Sequence, residues 1–219
     1  MKVLTPILAS YFLAVLPIIH LAFSGNKFVY DFGVTFYFAL VLILVLSFKK
    51  ISIRQLGFKN TYIGKSSLIG VLLGLVPVLM VVFLDSILVK TGLAQTELLA
   101  GANLRIPEEM GFHTTPIENI FSTVVVPFID QVFIIGLIVN NTLKNENMGR
   151  VVISGGLIYS LIHFKPSIGN LFLGMISAGL LKGTGSIIPS ILVHTGFTIA
   201  KVAIVFYFPR LISILVLLI

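Results

Sequence analysis

The chain has 219 residues, of which 57% are hydrophobic and 11% charged, with a mean hydropathy of +1.10 and a formal net charge of +7. A soluble domain of this length has too little interior to hide that much apolar surface, so the composition excludes a soluble globular protein and points to helices in a bilayer. The basic residues are spread over short connections with no aromatic-interleaved stripe. The positive charge therefore reads as a membrane-surface bias and not as a nucleic-acid footprint, and nucleic acid is not expected as a partner. The absence of cysteine removes disulfides, thiolate nucleophiles and cysteine-based metal sites together.

In chain order, the first apolar run covers residues 3–23. It follows a single Lys2 and is long enough to read as a retained helix, not a cleaved signal peptide. A second run covers 28–48. The connection 49–65 is the most basic, with Lys49, Lys50, Arg54, Lys59 and Lys65. The third run, 66–89, contains Gly70 and Gly74 (GVLLG), a spacing that lets two helices approach closely. Asp85, near its far end, reads as an interfacial charge. The long connection 90–118 sets Glu97, Glu108, Glu109 and Glu118 against Lys90 and Arg105; Glu108 and Glu109 read as solvated charges, and no role is assigned to His20 or His113. The fourth run is 119–139. Two shorter stretches follow, 151–163 and 168–181. As a helix, 151–163 would rise only about 20 Å against a hydrocarbon thickness of ~30 Å, so this element should end inside the protein, at His163. The run 187–208 is a fifth crossing, and 209–219, interrupted by Pro209 and Arg210, closes the chain.

Lysine and arginine are retained on the cytoplasmic side of short loops. Placing 49–65 inside also places Lys2, Lys144, Arg150 and Lys182 inside and 90–118 outside, nine basic residues against five, with Lys201 uncounted within a span. The expectation is an all-α, multi-pass integral membrane protein of about eight transmembrane or partly inserted helices. They form one polytopic domain, 1–219, with the functional core in 119–208 and a cavity open to the cytoplasm. The amino terminus is expected inside, and the membrane is the plasma or inner membrane if the source is prokaryotic.

Three polar residues stand alone in apolar helical stretches: Asp130 in VVVPFIDQVFIIGLIV, His163 in GGLIYSLIHF and His194 in SIIPSILVHTGF. Ionisable groups in hydrocarbon are costly and usually line a cavity or a proton path. Counted from the inner helix ends at 1.5 Å per residue, the three lie roughly 14, 18 and 11 Å deep, so they can share one cavity. Residues four apart share a helix face, which sets Tyr159 one turn from His163, Thr198 one turn from His194, and Gln131 beside Ile135. Each histidine so gains a companion able to fix its ring or to touch a substrate. Two histidines and a carboxylate can also ligate Zn²⁺ or Fe²⁺, but they come from three helices without an HExxH-type pattern. No cofactor is expected, and zinc is the minor alternative.

The run GNLFLGMISAGLLKGTGSIIPSILVHTGFT, residues 169–198, resembles the closing part of the CPBP family, the CAAX proteases and bacteriocin-processing intramembrane enzymes. There a glycine-rich helix leads through a Thr-Gly-Ser turn, here Thr184, Gly185 and Ser186, to a helix carrying a histidine, here His194 after Pro189. The family's aromatic residue four before a histidine is matched by Tyr159 and His163. Its first motif, Glu-Glu, three residues, then Arg, aligns with Asp130, Gln131 and Ile135, and LGF at 56–58 sits where the family often has such a segment. The similarity covers about the last hundred residues.

The resemblance implies an endopeptidase acting on a hydrophobic, lipidated or membrane-anchored peptide, with membrane lipid as its surroundings. Asp130 would be the general base, His163 its partner on the attacking water and His194 an oxyanion donor, with Thr198 in place of the expected Asn and Tyr159 and Gln131 in support. Asp can do the acid/base work of Glu with a side chain one methylene shorter. Gln131 and Ile135 replace a Glu and an Arg together, so neither leaves an unpaired buried charge. The alternative is a catalytically silent member that binds a peptide or partner helix in an immunity or regulatory role; the departures at Asp130, Gln131, Ile135 and Thr198 favour it, and the retained carboxylate opposes it.

Overall fold

The chain is described by a computed structural model over residues 4–23, 25–59, 63–92, 116–164, 167–208 and 211. All regular structure among these residues is helical. Helix α1 is Leu4–Ala22 and α2 is Lys27–Ser47; a single 3-10 turn, Ile53–Leu56, precedes α3, Ile63–Lys90. Helix α4 runs continuously over residues 116–142, α5 is Met148–Ile162, α6 is Ile168–Thr184 and α7 is Ile188–Tyr207. Four of them, Leu4–Ala22, Phe28–Ser47, Ile63–Lys90 and Glu118–Thr142, are long and apolar enough to cross a membrane, with Met148–Ile162 and Ile188–Ile204 as shorter apolar helices. The fold is thus an all-α membrane protein. The expected eighth element, 209–219, lies outside the described residues except for Leu211, as does the connection 93–115.

Local chemistry sets the ends of these helices. Asn26, Asn147 and Ser167 each accept a hydrogen bond from the backbone N–H three residues on, closing the open amino ends of α2, α5 and α6. Helix α6 stops at Gly185, whose φ of +68° is the left-handed cap that glycine adopts most readily. Inside α1 and α4 the winding widens to π-helix at Tyr11–Val15 and Phe121–Val125. Both stretches hold the carbonyl four residues before a proline, Pro17 and Pro127, and widening relieves the clash of the proline ring with that carbonyl. A third π-helical stretch, Gln131–Val139, has no proline to explain it; all nine of its residues are buried, and it begins directly after Asp130. Such widened turns are frequent at functional sites.

Helix α3 lies along α7 at glycine contacts. The carbonyl of Gly74 sits where Gly196 would carry a side chain, and Gly70 faces the backbone of Pro189. This is the close approach that the GVLLG spacing predicts. Helices α5 and α6 form the second close pair, through Gly155 and Gly156 on one side and Gly174 and Ala178 on the other. The aromatic face of α1 and α2 supports α4: Tyr11 packs on Phe38, whose ring stacks on Phe133 with centroids 4.0 Å apart. Leu56 is buried against α4 with its carbonyl over Gly136, and the Gly57 carbonyl accepts a hydrogen bond from Ile187 N–H at 3.0 Å. The LGF segment so ties the middle of α4 to the start of α7. Asp85, near the far end of α3, is buried.

Candidate active site

Asp130 comes from α4 at the junction with the long π-helical stretch, His163 caps the carboxyl end of α5, and His194 lies two turns into α7. The fold brings all three to one place. His163 Nε2 lies 3.1 Å from Asp130 Oδ2. Its other nitrogen, Nδ1, lies 2.9 Å from the Tyr159 carbonyl oxygen, which can only accept, so Nδ1 carries a proton. The short contact at Nε2 then requires one further proton between imidazole and carboxylate, held by one or the other. Ring orientation is fixed a second time by Tyr159, whose ring lies over His163 with centroids 4.4 Å apart.

His194 is held through one nitrogen. Gln131 Nε2 and Tyr159 Oη each lie 3.3 Å from its Nδ1. An amide nitrogen only donates, so Nδ1 carries the lone pair and the neutral ring keeps its proton on Nε2. Tyr159 therefore touches both imidazoles, one with its ring and backbone, the other with its hydroxyl. Thr198 Oγ1 donates to the His194 carbonyl at 3.1 Å, one turn back along α7, which engages its proton with its own helix. Ile135 is fully buried in the core, where the family motif carries a cation.

The cluster is close-packed. Asp130, Gln131, Tyr159 and His194 are buried, while the His163 side chain is 21% exposed and forms the open edge. Among the described residues, Asp130 Oδ1 and Gln131 Oε1 are buried without a hydrogen-bond partner. A buried carboxylate oxygen with no donor is costly, and such orphans in native structures ask for an explanation, a ligand or water among them. An apolar hollow of about 490 Å³ lies between α3, α6 and α7; its lining includes Val193 and Phe197 of α7 but none of Asp130, Gln131, Tyr159, His163 and His194. Among the described residues no group of three or more His, Asp or Glu is arranged to hold a metal ion.

Two supporting residues carry no signal in the sequence. Tyr11, in α1, donates its buried hydroxyl to the Ile162 carbonyl at 2.6 Å and so holds the backbone next to His163 across 151 residues of chain. Gly174, in α6, lies directly beneath Tyr159, where a side chain would collide with the Tyr159 Cβ. The glycine-rich composition of α6 was visible beforehand, but not the residue each glycine accommodates.

Comparison with curated proteins gives no match, and neither does comparison with solved structures. A family model does match: type II CAAX prenyl endopeptidase Rce1-like, over residues 112–200, less than half of the chain but including Asp130, His163 and His194. The match agrees with the resemblance to the CPBP family noted from the sequence, and residues 112–200 of this chain are similar to an Rce1-like domain.

Proposed function

We propose that the protein is an intramembrane endopeptidase of CAAX-protease type, acting on a membrane-associated peptide by water activated at a carboxylate and histidine. The observation that carries this reading is the Asp130 carboxylate, with Oδ2 held 3.1 Å from His163 Nε2 and Oδ1 left without a partner. The two oxygens then divide the work. One is oriented by the imidazole, and the other accepts a proton from a water as its oxygen attacks the peptide carbonyl. The proton passes to the nitrogen of the breaking amide bond, leaving a carboxylic acid and an amine. The Nε2–H of His194 faces the oxygen on which negative charge develops, and Gln131 and Tyr159 keep that proton on Nε2 throughout. No cofactor enters these steps. The match to a prenyl endopeptidase family supports a lipid-anchored peptide as substrate, delivered from the bilayer, with the amino terminus and the basic connections at the cytoplasmic face.

The Thr198 hydroxyl, turned to its own helix, supports the second reading, in which the domain binds a peptide or partner helix without cleaving it. The discriminating experiment follows cleavage of membrane-tethered reporter peptides by the whole protein and by Asp130→Asn, His163→Ala, Asp130→Glu and Thr198→Asn. Cleavage abolished by the first two substitutions supports the peptidase. No cleavage by the unaltered protein or by the Asp130→Glu, Thr198→Asn double variant, with reporter binding retained, supports the silent member.

A further inference from the structure

At the end of the bundle away from His163, four cations from three separate stretches of chain line one hollow of about 420 Å³. Arg54 and Lys59 come from the turn before α3, Lys144 follows α4, and Lys182 lies in the last turn of α6; Val139 and Leu181 supply apolar walls. The lining contains no carboxylate. Lys182 Nζ donates to the Lys144 carbonyl at 2.9 Å, and Lys59 Nζ lies above Gly185. Among the described residues, no ion pair engages Arg54, Lys59, Lys144 or Lys182. The one ion pair nearby in sequence joins Arg150 to Glu146 and leaves the four untouched.

Four like charges around one concavity repel one another, and their mutual repulsion is relieved by a bound anion. Serving the carboxyl end of a helix explains one of them, Lys182. It does not explain Arg54 and Lys59, which belong to the 3-10 turn and the chain after it. We propose that this hollow is a binding site for a phosphate-bearing anion, with the apolar walls receiving the first carbons of the group that carries the phosphate. The chemistry is that of a phosphodiester headgroup in the bilayer or of a soluble phosphate ester, and basic pockets between membrane helices are suited to the former. The site is separate from Asp130, His163 and His194 and does not depend on the peptidase reading.

The test uses the full chain in phosphatidylcholine nanodiscs, with and without phosphatidylglycerol, and in parallel with inorganic phosphate or glycerol phosphate added to the phosphatidylcholine discs. Binding is followed by native mass spectrometry and by thermal unfolding. Phosphatidylglycerol should bind and raise Tm. Arg54→Gln and Lys59→Gln should each weaken binding about fivefold and together about 25-fold, while Lys59→Arg and Lys90→Gln leave it unchanged. Arg54 and Lys59 donate no described side-chain hydrogen bond, so Tm in pure phosphatidylcholine should hold; if it falls, loss of lipid binding by the unaltered protein at high salt is the second measure. Protection by the soluble phosphates with the same sensitivity to Arg54 and Lys59 supports the anion site and assigns it to a soluble ester. The proposal is overturned if no arm binds above phosphatidylcholine alone, or if Arg54→Gln and Lys59→Gln matter no more than Lys90→Gln.

Discussion

Replacing Gly174 by alanine should damage the site without touching any of its polar atoms. The added Cβ would collide with the Cβ of Tyr159 and stand 2.9 Å from Gly156 Cα and 3.0 Å from Tyr159 Cγ. Carbon atoms rest about 3.5–4.0 Å apart, so α5 and α6 must separate by about 1 Å or more at this level. Overpacking of this kind costs about 1–3 kcal/mol. Because Tyr159 is the part that gives way, the displacement passes to both imidazoles, and misplacement by about 1 Å can cost on the order of 100-fold in rate. Gly179→Ala is the control. It lies on the same helix, but its added Cβ would meet only the Val152 Cγ2 methyl at 3.3 Å, and alanine is worth up to about 1 kcal/mol over glycine within a helix. Thermal unfolding of the two variants in one detergent, with ¹⁵N-histidine spectra to report His163 and His194, separates the cases. Gly174→Ala should lower Tm, shift the imidazole signals and reduce reporter cleavage, and Gly179→Ala should do none of these. Equal Tm values and unshifted imidazoles in Gly174→Ala would refute the proposed seating of Tyr159 on α6.

Tyr11→Phe removes the hydroxyl that donates to the Ile162 carbonyl and should cost about 1–2 kcal/mol in Tm-derived stability, with a loss of cleavage that follows kcat and not KM, since α1 only positions His163. Tyr159→Phe keeps the ring over His163 and the carbonyl on its Nδ1 but strips one of two donors from His194; cleavage should fall about tenfold, and the His194 nitrogen signals should move while those of His163 stay. Gly196→Ala puts a methyl group into the Gly74 carbonyl of α3, and loss of folded protein by size-exclusion chromatography is expected, since the contact is backbone that cannot rotate away.

Composition and run length were enough to reveal the class of fold, because a bilayer demands long apolar helices and little else resembles them. The short stretch ending at His163 was legible for the same reason: too few residues to cross, and a polar residue at its end. Asp130, His163 and His194 stood out because ionisable side chains are rare and costly in such surroundings. The pairing of Tyr159 with His163 followed from a four-residue helical spacing, which is local geometry.

What only the packed structure decided are relations between helices. Periodicity says which residues share a face of one helix, but not which face meets which, nor at what depth. So nothing in the chain announced that the Asp130 carboxylate would face Nε2 of His163, or that Gln131 would turn to His194 and not to its neighbour Ile135. The widened turns of α4 rotate that helix in a way no regular period anticipates. Tyr11 reached the Ile162 carbonyl, and four cations from distant stretches gathered around one hollow, because backbone and charge met across space after the helices had packed. The local sequence encodes each helix and its cost in the membrane; the partners of its polar groups exist only once the helices are assembled.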